Sequence, residues 1–255
     1  MAGIYIHIPF CKSRCVYCDF YSTTSLALGQ RYVDALCREM EDRCKMEDGR
    51  GEMVETVYLG GGTPSQLTGT LLRQLFAHLY QTFDISPDAE VTIECNPDDV
   101  TEAFAEMLKT LPVNRVSMGA QTFQPERLRF LRRRHTAEQV KEAVGRLRQV
   151  GIRNISVDLM YGFPNETMAE WERDIQQAIA LDVEHLSAYA LQYEEGTPLY
   201  RMLERGEVSE IDEELERQMY FRLMDAKPEG FVQLSSHIGN YEIAGYTLRA
   251  EKTLK

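Results

Sequence analysis

Three cysteines near the start of the chain are the residues best suited to bind a metal. Cys11, Cys15 and Cys18 lie within eight residues in the spacing C-x3-C-x2-C. A loop this short lets three thiolates converge on one iron–sulfur cluster, for which cysteine is the usual ligand. Zinc sites usually take four ligands in two separated pairs, and no second C-x2-C pair exists. Three thiolates leave one iron of a cubane cluster open to a small chelating molecule. The alternative is three unrelated buried cysteines.

Composition restricts the class of protein and partner. With 44% hydrophobic and 27% charged residues, the 255-residue chain suits one large globular domain. A formal net charge of -12 argues against nucleic-acid binding, which requires a basic surface. No charged segment precedes the first apolar run, and that run is too short to span a bilayer. We therefore expect a cytoplasmic protein with no nucleic-acid partner, in which the six cysteines are reduced or bind metal.

Short apolar runs alternate with helical patterns along most of the chain. Six strands are predicted, at about 3–8, 54–59, 91–95, 115–118, 155–160 and 186–191. Helices are predicted at about 26–46, 71–79, 101–110, 136–150, 171–180 and 210–226, the last with Ser209 as its N-cap. This alternation indicates an α/β fold with a parallel sheet and right-handed crossovers. Six strands are too few for a closed eightfold barrel and predict an open, partial (β/α)6 barrel.

Unusual residues lie at or near the ends of the predicted strands. The cysteines follow the first strand and Gly60-Gly61-Gly62 follow the second. Glu94 lies near the end of the third, Gln121 follows the fourth, and Asp158 lies within the fifth. Functional groups of parallel α/β sheets gather at the carboxyl ends of the strands. The sequence therefore predicts one shared site.

The same segments resemble the radical S-adenosylmethionine (SAM) superfamily. The resemblance covers about residues 3–233 and is closest to the oxygen-independent coproporphyrinogen III oxidase-like branch, within it to the HemW-like heme chaperones. It rests on IYIHIPFCKSRCVYCDF at 4–20, LGGGTPS at 59–65, IECNPDDV at 93–100, RVSMGAQTF at 115–123, DLMYGFP at 158–164 and LSAYAL at 186–191.

The resemblance implies two cofactors and a set of residues that hold them. A [4Fe–4S] cluster would be ligated by Cys11, Cys15 and Cys18, with SAM on the open iron. Residues that match cofactor contacts of the family are Tyr5, Tyr17, Gly62, Thr63, Glu94, Gln121, Arg133, Asp158 and Ala190. No catalytic side chain is assigned.

Several of these residues have an alternative interpretation. Core packing is equally compatible with Tyr5, and Glu94 could be a solvated acid at a strand end. Within the basic run, Arg133 is expected to face the site, whereas Arg132 and Arg134 are expected to face solvent. The remaining cysteines are interpreted as structural; they are Cys37, Cys44 and Cys95.

Two functions from different classes stay open. One is a heme chaperone that delivers heme to acceptor proteins; the other is an oxidase, an oxidoreductase that decarboxylates coproporphyrinogen III by radical hydrogen abstraction. In the oxidases a fourth cysteine follows within a C-x-C, where this chain has Phe20, and this favours the chaperone. The resemblance implies heme or a porphyrinogen as bound molecule, a reductant, and a heme-acceptor protein, with transient membrane-associated acceptors among the candidates.

The resemblance also predicts how the chain is divided. Relatives continue past this length into a smaller domain that covers the barrel mouth. We expect a radical SAM core at 1–205 and, at 206–255, the truncated start of a C-terminal helical or lid domain.

Overall fold

The computed structural model describes residues 2–46, 53–226, 231–238 and 241–248. Within the C-terminal domain predicted at 206–255, residues 227–230, 239–240 and 249–255 lie outside the described residues. The described strands are β1 (Ala2–Ile8), β2 (Val54–Gly61), β3 (Ile85–Cys95), β4 (Arg115–Gln121), β5 (Asn154–Tyr161), β6 (His185–Ala190), β7 (Phe231–Ile238) and β8 (Tyr241–Leu248). The described α-helices are α1 (Gly29–Met46), α2 (Gly69–Thr82), α3 (Glu102–Leu108), α4 (Pro125–Phe130), α5 (Ala137–Gln149), α6 (Met168–Ala180), α7 (Pro198–Glu204) and α8 (Glu213–Asp225).

One open sheet carries the strands in the order β1-β2-β3-β4-β5-β6-β8-β7. The first six are parallel and the sheet is not closed, which confirms the predicted α/β fold with a partial barrel. The last two form an antiparallel hairpin in which β8 also pairs antiparallel with β6. This hairpin was not predicted, although its connecting residues Gly239-Asn240 are a dipeptide typical of hairpin turns.

The chain divides into two compact units. The first unit comprises residues 1–14, 20–117 and 145–153, and the second comprises 15–19, 118–144 and 154–255. The predicted division at residue 205 stays a prediction. In the part of the chain that the structure describes, no helix is long and apolar enough to cross a membrane.

In the first unit, helix α2 buries one apolar face. Leu72, Leu75 and Leu79 are fully buried, because their spacing places them on one side of the helix. The helix begins after Thr68, whose hydroxyl accepts a hydrogen bond from the backbone N–H of Leu71. A helix of this length is only marginally stable in isolation. Burial of this apolar face against the rest of the unit therefore provides most of its stability.

In the second unit, α6 is anchored at both its start and its core face. Thr167 and Glu170 form a reciprocal capping box at the N-terminus. Trp171 is fully buried, its ring lies 5.1 Å from that of Tyr161, and its indole N–H donates to the carbonyl of Met219 at 2.9 Å. The only polar atom of this large side chain is therefore paired, as burial requires.

Three helices differ from the sequence prediction. The predicted start of the last helix was wrong, because α8 begins at Glu213 and its N-cap is Asp212, whose carboxylate accepts from the N–H of Leu215 at 3.0 Å. The carboxylate also places a negative charge at the positive end of the helix dipole, which a serine hydroxyl does not. Helices α4 and α7 were missed because six or seven residues are too few to show helical periodicity. Their signals were Pro125 and Pro198 at the first turn.

Candidate functional site

The three cysteines lie on the loop between β1 and α1. None of the six cysteines, all of which lie in the described residues, is in a disulfide, and these three are half-buried. In the first unit the loop is closed by backbone hydrogen bonds, from Cys11 to the carbonyl of Thr23 at 2.9 Å and from Thr23 to that of Pro9 at 2.7 Å. Cys15 and Cys18 belong to the second unit. Across the described residues, no three His, Cys, Asp or Glu side chains are arranged to hold a metal, so the ligand set stays a prediction.

A buried hydroxyl lies beside Cys11 in the first unit. Thr63 Oγ1 donates to Cys11 Sγ at 3.5 Å, and Asn96 Nδ2 donates to Thr63 Oγ1 at 3.4 Å. The Gly62 N–H donates to the carbonyl of Ile8 at 2.8 Å. A Cβ at residue 62 would lie 2.8 Å from the backbone carbon of Pro9, a contact that only glycine avoids. Gly62 therefore lets β2 approach the start of the cysteine loop.

Glu94 is a paired carboxylate near the end of β3, not a solvated strand-end acid. Oε1 accepts from the hydroxyl of Tyr58 at 2.7 Å, and Oε2 accepts from the Gly61 N–H at 3.0 Å. Burial raises the pKa of Glu94, and these two hydrogen bonds oppose the rise. A Cβ at residue 60 would lie 3.0 Å from this carboxyl group, so Gly60 leaves room for it. Its contact with a cofactor stays a prediction.

Tyr5 lies next to this carboxylate rather than in the core. Its side chain is 59% exposed, and its ring stacks on that of Tyr58 with centroids 6.0 Å apart. Its hydroxyl lies 3.2 Å from Nδ1 of His7, whose Nε2 lies 2.8 Å from the carbonyl of Tyr21. Partial burial, and then the charge of Glu94, raise the pKa of Tyr5. The core-packing interpretation of Tyr5 is therefore wrong.

In the second unit, Arg133 lies against Cys15. Nη1 donates to Cys15 Sγ at 3.5 Å and Nη2 donates to the carbonyl of Gly119 at 2.6 Å. A Cβ at residue 119 would lie 2.6 Å from Gln121 Nε2 and 3.1 Å from Arg133 Nη2, so the amide of Gln121 lies close by. Arg132 and Arg134 are exposed, which confirms their predicted orientation toward solvent.

Gln121 has an unusual backbone conformation. Its φ is 67°, a left-handed value that side chains other than glycine seldom adopt. Such strain is commonest at functional sites, because the surrounding structure must hold it in place. This conformation is compatible with the role predicted for Gln121 as a cofactor contact.

Tyr17 belongs to the same group as Cys15 and Arg133. Its ring packs against a buried apolar cluster that includes Leu131 and Phe163. Burial raises the pKa of the Tyr17 hydroxyl; the charge of Arg133 lowers it, and Cys15 raises it. A neutral hydroxyl beside Cys15 is the result.

Asp158 and Ala190 lie on neighbouring parallel strands but at different levels. The register of β5 and β6 pairs Asp158 with Ser187 and pairs Tyr161 with Ala190. Three residues of strand therefore separate the two predicted contacts, about 10 Å at a rise of about 3.3 Å per residue. Ala190 lies at the carboxyl end of its strand, whereas Asp158 lies in the interior of its own. The structure does not bring these two residues to the same level.

The sequence analysis missed two buried acids that hold loops of the second unit. Asp174 on α6 accepts three hydrogen bonds from the loop after β4. Glu166 follows β5, and its Oε2 accepts from the N–H groups of Gly162 at 2.7 Å and Phe163 at 3.0 Å. Its signal was an acid directly after a Gly-Phe-Pro-Asn turn, since free N–H groups in a turn need an acceptor.

Glu166 is expected to make stability depend on pH. Burial raises its pKa to about 7, whereas an unfolded glutamate titrates near about 4.3. The folded chain then binds the extra proton, so this stabilisation is full below the unfolded pKa and is lost as pH rises through about 7. The sequence pI is ≈ 5.0, so urea unfolding is best measured at about pH 6 and about pH 8.5, away from the pI.

Glu166→Gln cannot titrate and is the variant to compare. Relative to wild type, its free energy of unfolding should rise by about 1–1.5 kcal/mol between these two pH values. Glu170→Gln changes a half-buried acid in the first turn of α6, whose pKa is lowered rather than raised, and should show no rise of this size. A difference between wild type and Glu166→Gln that is independent of pH would contradict this assignment.

This chain is similar to several known proteins. It matches the Radical SAM superfamily over residues 5–178. It is 35% identical over 250 residues to the heme chaperone HemW of Bacillus subtilis, covering 96% of this chain and 63% of that protein. It is 37% identical over 229 residues to HemW of Mycobacterium tuberculosis, covering 88% and 58%. The chain thus spans about three fifths of the length of these curated relatives.

A solved structure has the same fold. Coproporphyrinogen III oxidase (HemN) from Escherichia coli superposes with a TM-score of 0.80 at 24% identity, over 95% of this chain and 55% of that one. At this identity the likeness concerns the fold alone. The family match covers more than half of the chain and includes the cysteine loop, the glycine run and Glu94. This chain belongs to the radical SAM superfamily.

Proposed function

We propose that this chain is a heme chaperone that holds a [4Fe–4S] cluster and SAM, and that it transfers heme to acceptor proteins. One observation carries the proposal: the 35% identity to a heme chaperone extends over 96% of this chain. The likeness to the oxidase concerns the fold. Phe20, exposed after the third cysteine, supports the same choice, because the resemblance places a fourth cysteine there in oxidases.

The donor set fits the proposed cluster. Cys11, Cys15 and Cys18 are thiols outside any disulfide, and a hydroxyl and a guanidinium already donate to two of their sulfur atoms, Cys11 and Cys15. Such donors suit a thiolate, since hydrogen bonds favour the charged form of the group that accepts them. When bound, the cluster and SAM would supply one-electron chemistry.

Other residues of the two units are proposed to position SAM. Glu94 is held by Tyr58 and Gly61, which fix the orientation of its carboxylate, and we propose that it accepts from a hydroxyl or amine of the cofactor. Exposed Tyr5 offers a ring face beside it. In the second unit Gln121 offers an amide held against Gly119. These groups bind and orient; none is assigned a proton-transfer step.

The proposal extends to partners and location. It includes heme as the cargo, a reductant for the cluster, a heme-acceptor protein, and a cytoplasmic location. It retains the radical SAM core at 1–205 and the beginning of a further domain at 206–255. The resemblance to heme chaperones supports each of these points.

A heme titration beside an activity assay tests the proposal. The 255-residue chain is reconstituted anaerobically with iron and sulfide, and hemin is added while the Soret band is followed. Stoichiometric binding, followed by transfer of the heme to an apo-acceptor, without conversion of coproporphyrinogen III in the presence of SAM and reductant, is the expected result. Decarboxylation of the porphyrinogen would instead support the oxidase, and absence of both activities would contradict the proposal.

A further inference from the structure

We propose that Asn96 fixes the direction of a hydrogen-bond chain that ends on Cys11 and thereby tunes the reduction potential of the cluster. The inference rests on the proposed ligation of the cluster by Cys11. It assigns a positioning role to Asn96, which is not among the residues predicted to contact a cofactor.

The chain of contacts has two links. Asn96 Nδ2 lies 3.4 Å from Thr63 Oγ1, and Thr63 Oγ1 lies 3.5 Å from Cys11 Sγ. Thr63 is buried at 5% exposure, and the other two residues are half-buried. All three belong to the first unit. Because these groups are buried or half-buried, water weakens the hydrogen bonds between them less than it would at the protein surface.

The chemistry of the groups fixes the direction of both links. The nitrogen of a side-chain amide only donates, whereas a hydroxyl has one proton and can also accept. Thr63 therefore accepts from Asn96 and directs its single proton to the sulfur of Cys11. With an acceptor at the position of Nδ2, the hydroxyl proton would turn away from the sulfur.

Asn96 stands at the start of a turn that its side chain does not cap. It precedes a single 3-10 turn, Pro97–Asp99, in the position where asparagine usually caps, yet its side chain makes no capping hydrogen bond. Its extended backbone, with φ of -88° and ψ of 147°, is the conformation imposed by the following proline. The side chain is thus directed back to Thr63 from the end of β3.

A donor on a ligating sulfur should raise the reduction potential. Reduction adds negative charge to the cluster and its thiolates, and a hydrogen-bond donor stabilises that charge. Partners beyond the ligands tune metal sites in this way. Loss of the donor to Cys11 should therefore make the cluster harder to reduce.

The experiment is an anaerobic redox titration of the reconstituted chain, followed by electron paramagnetic resonance. Thr63→Val should lower the reduction equilibrium constant about three- to tenfold, a downward shift of up to about 59 mV for one electron. Asn96→Leu keeps the Thr63 hydroxyl but removes the donor that orients it, so it should lower the constant in the same direction by a smaller factor. The double variant should match Thr63→Val alone, because without the hydroxyl residue 96 no longer acts on Cys11. Thr63→Ser keeps the hydroxyl and should retain the wild-type potential.

A matched control and a second substitution complete the design. Ser65→Ala removes a neighbouring buried hydroxyl, which donates to Asp99, and should leave the potential unchanged. Asn96→Asp has nearly the same shape but accepts the Thr63 proton, so it should lower the potential at least as much as Asn96→Leu. If Asn96→Leu takes up no cluster, the reduction potential of Asn96→Asp tests the role of Asn96 in its place.

The outcomes separate this inference from the proposed function. Full iron and sulfide with an unchanged potential in Asn96→Leu would overturn the role of Asn96 alone. Failure of the wild-type chain to bind a cluster would overturn the proposed function itself.

Discussion

Cys15→Ala is expected to bind almost no iron after anaerobic reconstitution, where the wild-type chain binds about four iron and four sulfide ions. Three thiolates would carry the whole attachment of the cluster to the protein, so loss of one leaves two irons without a protein ligand. Arg133 would keep its hydrogen bond to the carbonyl of Gly119, so the arginine itself retains a partner. Iron and sulfide analysis and the loss of the brown absorption measure the effect.

Cys37→Ser is the matched control. Cys37 is half-buried on α1, and burial raises the pKa of its thiol, which disfavours the thiolate that metals require. This variant should keep the full cluster. Retention of the cluster by Cys15→Ala, or zinc in place of iron in the wild-type chain, would contradict the assignment of the three cysteines.

Asp174→Ala is expected to lower the free energy of unfolding by about 3–5 kcal/mol. The Asp174 side chain is fully buried, and it accepts from the hydroxyl of Thr122, the N–H of Phe123 and the side-chain amide of Gln124. Alanine would leave these donors unpaired away from water, which is costly for each of them. Urea unfolding at neutral pH measures the change.

Asp174→Asn should cost less, about 1–2 kcal/mol. Phe123 and Gln124 both donate to Oδ1, and Thr122 alone donates to Oδ2. An asparagine can keep Oδ1 in place and donate from its nitrogen to the oxygen of Thr122, which also accepts from the N–H of Gln124. One bond is then reversed, and the proton of the Thr122 hydroxyl loses its acceptor. Equal losses for the two variants would mean that the charge, not the hydrogen bonding, holds this loop.

The fold and the site could be predicted best where a periodic apolar pattern is followed by residues of an unusual type, such as the glycine run. The six parallel strands follow from alternating apolar runs and helical patterns, and the glycine run at the end of β2 marks a close backbone approach. That approach is present, since a Cβ at Gly61 would lie 2.5 Å from the ring of His7. The family could be recognised because several such segments occur in a fixed order.

The remaining features depend on contacts between distant parts of the chain. Asp174 stands in an ordinary amphipathic helix, and nothing in its neighbourhood indicates that the loop 50 residues earlier binds it. Asn96 looks like a turn residue before a proline, and only the fold brings Thr63 within reach. The sequence likewise could not reveal that Asp158 and Ala190 lie at different levels, because that difference is set by strand register.

The left-handed residue at the end of β4 has a consequence for how this segment evolves. Glycine would adopt the φ of 67° found at Gln121 without strain, whereas a larger side chain there costs about 1–3 kcal/mol. Selection for folding alone would therefore drift toward glycine at this position. If the amide of Gln121 contacts the cofactor as proposed, the strained backbone is the cost in stability of keeping a polar side chain that glycine lacks.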